Sequence, residues 1–86
     1  LSMNIKRKFD ELFDEPSFAK AFQERIITER DGRSVVPVKA DFKGLIKGIE
    51  HDRSSSGQTV FIEPLPIVAL NNKMRELELK EKFYLE

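Results

Sequence analysis

The stretch that most restricts the fold is residues 25–39, where an Asp31-Gly32 pair divides two β-rich runs, Ile26-Ile27-Thr28 and Val35-Val36-Pro37-Val38. Asp-Gly in that position favours a two-residue type I′ turn, whose central residues both need positive φ. Such a turn sets the register. With Arg30 opposite Arg33, Thr28 falls opposite Val35, Ile27 opposite Val36 and Ile26 opposite Pro37, so that Ile27, Val36 and Val38 share one face. Pro37 has no amide to give a ladder and is expected on an edge or beside a bulge.

Residues 45–51, Leu-Ile-Lys-Gly-Ile-Glu-His, read as a third strand, with Gly48 marking a bulge or a close backbone approach. A polar loop, Asp52-Arg53-Ser54-Ser55-Ser56-Gly57, separates it from the strongly β residues 58–63. Two successive hairpins imply a four-stranded antiparallel sheet. Ahead of it, Ile5, Phe9, Leu12 and Phe13 form one stripe of a helix over residues 4–14, which Pro16 interrupts before a short helical turn carrying Phe18 and Phe22. Behind it, Pro64 and Pro66 end the last strand and open a helix that runs to the end of the chain. Its Ile67, Leu70, Met74 and Leu77 follow heptad a and d spacing, and Tyr84 returns to it after Glu81, so this seam wants a partner helix.

The expected class is therefore α+β: a four-stranded antiparallel sheet of two hairpins flanked by an N-terminal helix and a long C-terminal helix. Residues 1–24 form the first helix and turn, 25–63 the sheet and 64–86 the last helix, within one domain, because 86 residues cannot supply a second core. No cap precedes the first helix at Leu1 and no stop signal follows Glu86, as expected of a piece of a longer chain.

Charge and composition narrow the function. The 15 basic and 15 acidic side chains cancel, so no whole-molecule field steers the chain to nucleic acid, and such contacts must come from local clusters. The longest uncharged stretches, residues 54–62 and 64–72, are far short of the ~20 apolar residues that cross a bilayer, and no secretory signal is visible. With no cysteine, a reducing cytoplasm is the expected compartment.

His51, Asp52, Ser54, Ser55 and Ser56 include the residue types of a hydrolytic triad, but near neighbours in one loop do not converge as a triad must. Phosphate-loop, dinucleotide and HExxH signatures are absent, and one histidine does not build a zinc site. Glu29, Glu50, Asp52 and Glu63 could hold magnesium, although a wet strand face accounts for them more simply. Catalytic, cofactor and metal residues are thus expected to be absent. Arg30, Arg33, Lys39, Lys43, Lys47 and Arg53, in turns and strands, are candidate phosphate contacts of a sequence-independent, salt-sensitive kind. The same residues also read as a solvated surface that blunts sheet edges. No aromatic stacking platform of the RRM type is visible.

Three blocks in order, Asp31-Gly32-Arg33-Ser34-Val35-Val36-Pro37-Val38-Lys39, the run from Gly48 through His51-Asp52-Arg53-Ser54-Ser55-Ser56-Gly57-Gln58-Thr59-Val60-Phe61-Ile62-Glu63-Pro64, and Asn71-Asn72-Lys73-Met74-Arg75-Glu76-Leu77-Glu78, closely resemble the MutS-II branch of the bacterial MutS-like DNA repair ATPases. The resemblance covers most of residues 25–80. It implies a clamp, the small sheet module between the far ends of two lever helices, here with lever stubs. It also implies a parent that is an ATP-driven homodimer, binding ATP and Mg outside this chain, gripping duplex or branched DNA, carrying a C-terminal Smr endonuclease, suppressing recombination and acting on stalled ribosomes. The blocks themselves name no chemical site: Asp31-Gly32, Ser56-Gly57 and Glu63-Pro64 suit turns and strand ends. Two readings follow. One is a non-catalytic clamp whose basic turns touch nucleic-acid backbone, or a ribosomal surface, and whose helices relay the ATPase state. The other is a helix-pairing, protein-interaction module with no nucleic-acid contact, in which the heptad face from Ile67 to Tyr84 pairs with the N-terminal helix or with another copy.

Overall fold

The computed structural model describes the backbone of residues 3–84 and the side chains of residues 4–79. Helix α1 (Met3–Asp14) buries the stripe Ile5, Phe9 and Phe13, with Leu12 packed at its margin. Pro16 then opens a 3-10 helix, Pro16–Ala21, whose first turn is capped by the Glu15 carboxylate accepting from the Ser17 amide at 3.3 Å. Phe22, expected inside this turn, instead stands just past it in extended backbone and bridges to Val38. From there its ring meets Phe13 edge-on, with centroids 5.1 Å apart.

The Asp-Gly turn forms as expected, with φ of 56° at Asp31 and 74° at Gly32. It joins β1 (Thr28–Arg30) to β2 (Arg33–Lys39) in the anticipated register, Thr28 opposite Val35 and Arg30 opposite Arg33. The ladder stops there, so the expected pairs of Ile27 with Val36 and Ile26 with Pro37 do not form. Hydrogen-bonding residues alternate along an antiparallel pair, and Pro37 reaches its turn with no amide to donate. Its carbonyl accepts from the Gln23 amide at 3.0 Å instead. Pro37 is therefore not on an outer strand: the sheet order is β1-β2-β4-β3, which leaves β2 interior, and the proline is tolerated because its nitrogen faces the side where β1 has already ended.

A 3-10 helix, Ala40–Leu45, carries the chain past β4 to the outer strand β3 (Gly48–Arg53). The strand thus begins at Gly48 rather than Leu45, and Asp52 and Arg53 belong to it rather than to the following loop. The register shifts between Glu50 and Asp52, leaving His51 as the extra residue of a bulge. Gly48 marks the close approach: a Cβ there would fall onto the Glu63 carbonyl and a methyl of Ile62. We expect Gly48→Ala to destabilise the fold by about 3 kcal/mol in urea unfolding followed by circular dichroism. Gly44→Ala, where an added Cβ meets nothing within 4 Å, is the control.

Strand β4 (Thr59–Pro64) runs directly into α2 (Leu65–Tyr84), with Pro66 in its first turn and no residue between strand and helix. One sheet face, carrying Val36, Val38, Val60 and Ile62, packs with α1 and the start of α2 into one core. The seam of α2 is largely covered. Ile67 is fully buried, and Leu70 and Met74 pack against the core, so the partner is largely the chain's own α1 and sheet. Leu77 is 52% exposed, and the Tyr84 side chain lies outside those described. Among the described residues no helix is long and apolar enough to cross a membrane.

Candidate nucleic-acid interface and a buried charge network

The register gives the second sheet face Thr28, Arg30, Arg33, Val35, Pro37, Phe61 and Glu63. Glu63 was expected on a wet face and is fully buried. Its carboxylate is satisfied from three directions. Arg33, the first residue of β2, donates through Nε at 3.1 and 2.9 Å and through Nη2 at 2.7 Å. His51 Nε2, on the bulge of β3, lies 2.8 Å from Oε1, and Asn71 Nδ2, on α2, donates to Oε2 at 2.9 Å. A carboxylate only accepts, so Nε2 carries the proton, and the opposite ring nitrogen faces Asp31 Oδ2 at 3.6 Å. Arg33 is fixed in turn by donating to Asn72 Oδ1 at 3.1 Å. Burial pushes the Glu63 carboxyl upward, but the bonds from Arg33, Asn71 and His51 outweigh it and hold the group below the usual carboxylate range.

The network ties the hairpin turn, the outer strand and α2 to one buried charge, and among the described residues no buried side-chain polar atom lacks a partner. The serines of the triad-like set stand apart from it. Ser54 Oγ accepts from the Thr59 amide and Ser56 Oγ from the Gln58 amide, closing the β3–β4 turn on itself. Among the described residues no group of three His, Cys, Asp or Glu side chains could hold a metal ion.

The six candidate cations divide into groups. Arg33 is given over to Glu63. Arg30 lies 4.3 Å above the Phe61 ring, and its Nε donates to Asp52 Oδ2 at 3.3 Å. Lys43 and Arg53 meet at Glu50, with Lys43 Nζ 3.5 Å from Oε2 and Arg53 Nη2 2.9 Å from Oε1. The Arg53 bond, helped by the Lys43 charge, holds the Glu50 carboxyl below its ordinary value. Lys47 borders the same shallow groove, together with Gly48 and Leu65. Lys39 ends β2 opposite Thr59, two strands across from Arg53, which pairs with Val60. Among the described residues, Lys39 and Lys47 pair with no carboxylate. Lys43 and Arg53 are thus brought together at Glu50, and Lys43 shares its groove with Lys47 at the start of β3; Arg30 and Arg33 are engaged elsewhere.

Sequence reasoning missed the Glu63 network. The available signal was the alternation of β4, which sets Glu63 on the face of Phe61 and beside the strand carrying Val35 and Pro37.

Similar sequences occur in known proteins. The chain is 84% identical over 82 residues to Endonuclease MutS2 of Fusobacterium nucleatum, a match that takes in 95% of this chain and 10% of that protein. The chain is a MutS2-like fragment. Endonuclease MutS2 of Caldanaerobacter subterraneus is 58% identical over 67 residues, 78% of this chain and 8% of that protein, and that of Lachnospira eligens 45% identical over 82 residues, 95% of this chain and 10% of that protein. The chain spans about a tenth of the length of the curated relatives it matches. No family model matches it. Arg33, His51, Glu63, Asn71 and Asn72 all fall inside the three MutS2-like blocks, so those blocks encode the side chains that fasten sheet to helix as well as turns and strand ends.

Proposed function

We propose that this fragment is the clamp of a MutS2-type protein, a non-catalytic module that touches nucleic-acid backbone through its sheet and relays the parent's ATPase state through its helices. The observation that carries the reading is the Glu63 carboxylate, which takes donors from β2, β3 and α2 and so makes the sheet move with the helix. Lys43, Lys47 and Arg53 supply the contacts, as exposed cations along β3 and its approach that can pair with phosphates. The relatives' name supports an endonuclease parent; ATP and Mg binding, duplex or branched DNA, a second copy of the parent, ribosome contact, action in DNA repair and recombination and a cytoplasmic location belong to the same proposal. Neutral net charge leaves one fragment a weak binder, so affinity would come from two linked modules closing on one duplex.

The test uses the parent protein. Lys43→Ala, Lys47→Ala and Arg53→Ala should each weaken duplex binding and flatten the slope of log affinity against log salt by about 1 for each phosphate the variant no longer neutralises. Three unchanged slopes would mean that this surface does not meet the backbone. Crosslinking of the intact protein on DNA and on ribosomes then distinguishes the two surfaces.

A second reading, a helix-pairing module free of nucleic acid, draws on Leu77, the seam residue that stays 52% exposed on α2. Leu77→Asp should then abolish assembly measured by light scattering while the circular dichroism of the core is kept; assembly that survives the change removes this reading.

A further inference from the structure

Glu50 stands where an anion would be bound. Its two oxygens are divided between two cations from different elements: Lys43, on the 3-10 helix, lies 3.5 Å from Oε2, and Arg53, on β3, donates to Oε1 through Nε at 3.1 Å and Nη2 at 2.9 Å. Two anionic oxygens held between a lysine and an arginine is also the arrangement a phosphodiester presents through its non-bridging oxygens. All three side chains are open to water, Glu50 36% exposed and Lys43 and Arg53 each 49%, so one anion can replace another at little desolvation cost. Lys47, which pairs with no carboxylate among the described residues, borders the same groove and leaves the cluster cationic overall.

We infer that Glu50 is a built-in competitor for the phosphates of a nucleic-acid backbone, occupying Lys43 and Arg53 in the free protein and giving them up when the backbone docks. This rests on the clamp reading and adds to it a residue that limits affinity. A tethered carboxylate already neutralises part of the cluster, so fewer free counterions are released on binding than three cations would give. The surface is thereby tuned towards weak, reversible contact.

Fluorescence anisotropy of the parent protein on a fluorescein-labelled DNA duplex, across a range of salt concentrations, tests the inference. Glu50→Gln keeps the side-chain shape and removes the charge. It should tighten binding roughly 3- to 10-fold near physiological salt and steepen the salt slope by about 0.9. Glu29→Gln, the same charge change at an exposed position on β1 at the opposite edge of the sheet, should leave both nearly unchanged. A gain at Glu50 no larger than at Glu29, or a loss, while Lys43→Ala and Arg53→Ala weaken binding, overturns the inference and leaves the clamp reading standing. If Lys43→Ala and Arg53→Ala leave binding and slope unchanged, the inference fails; if Lys47→Ala does so too, the clamp reading fails with it.

Discussion

Glu63→Gln should destabilise the 86-residue chain by about 3 to 5 kcal/mol, most of what a domain of this size has to lose. The substitution is nearly isosteric, so the effect is electrostatic. Arg33 keeps its charge with only 21% of its side chain exposed, and the new NH2 group, at either oxygen position, points hydrogens at Arg33 and at His51 or Asn71, which are donors already. Urea unfolding followed by circular dichroism measures the loss; a change under 1 kcal/mol would mean that the carboxylate is not what fastens the sheet to α2.

The same group sets a pH dependence. The folded-state value of Glu63 is depressed, so the folded chain prefers the ionised form more strongly than the unfolded chain does. Its contribution is fully present above the unfolded value, about 4.3, and is lost as pH falls through the folded value. Wild type should therefore lose stability on acidification below about pH 4.5 more steeply than Glu63→Gln, which has no proton to take up there. Parallel acid limbs in the two proteins would contradict this.

The other large effect is expected from Phe9→Ala, at about 3 to 5 kcal/mol. Phe9 is fully buried, its centroid 6.0 Å from that of Phe13, and it belongs to the cluster in which α1 meets both the sheet and Ile67 of α2. Truncation leaves a cavity between elements that have no other means of closing it, and α1 should detach before the hairpins do. Hydrogen exchange would show this as lost protection in Met3–Asp14 with β2 and β4 retained; uniform loss would mean that helix and sheet unfold as one unit.

What the sequence made legible was local. The Asp31-Gly32 turn, the α1 stripe and the first-turn proline of α2 each depend on residues within a few positions of one another, and each is present. What it concealed depended on partners far along the chain. Glu63 reads as a wet strand carboxylate until Arg33, 30 residues before it, and His51, 12 before it, are folded beside it. The heptad spacing from Ile67 to Leu77 marked a face that needs cover, with the first helix or a second copy as candidates; the chain's own first helix and sheet cover Ile67, Leu70 and Met74, while Leu77 stays half exposed. Of the six candidate cations, the sequence held no sign of which had a carboxylate waiting, because register across β3 and β4, including the His51 bulge, decides that.

The junction between Pro64 and Leu65 has a mechanical consequence. Hinges absorb rotation in loop residues with freedom in φ and ψ, and here the last strand residue is followed at once by the first helical one. Torque applied along the helix therefore arrives at the interior strand without slack, and the Arg33 and His51 bonds pass it outward to both neighbouring strands.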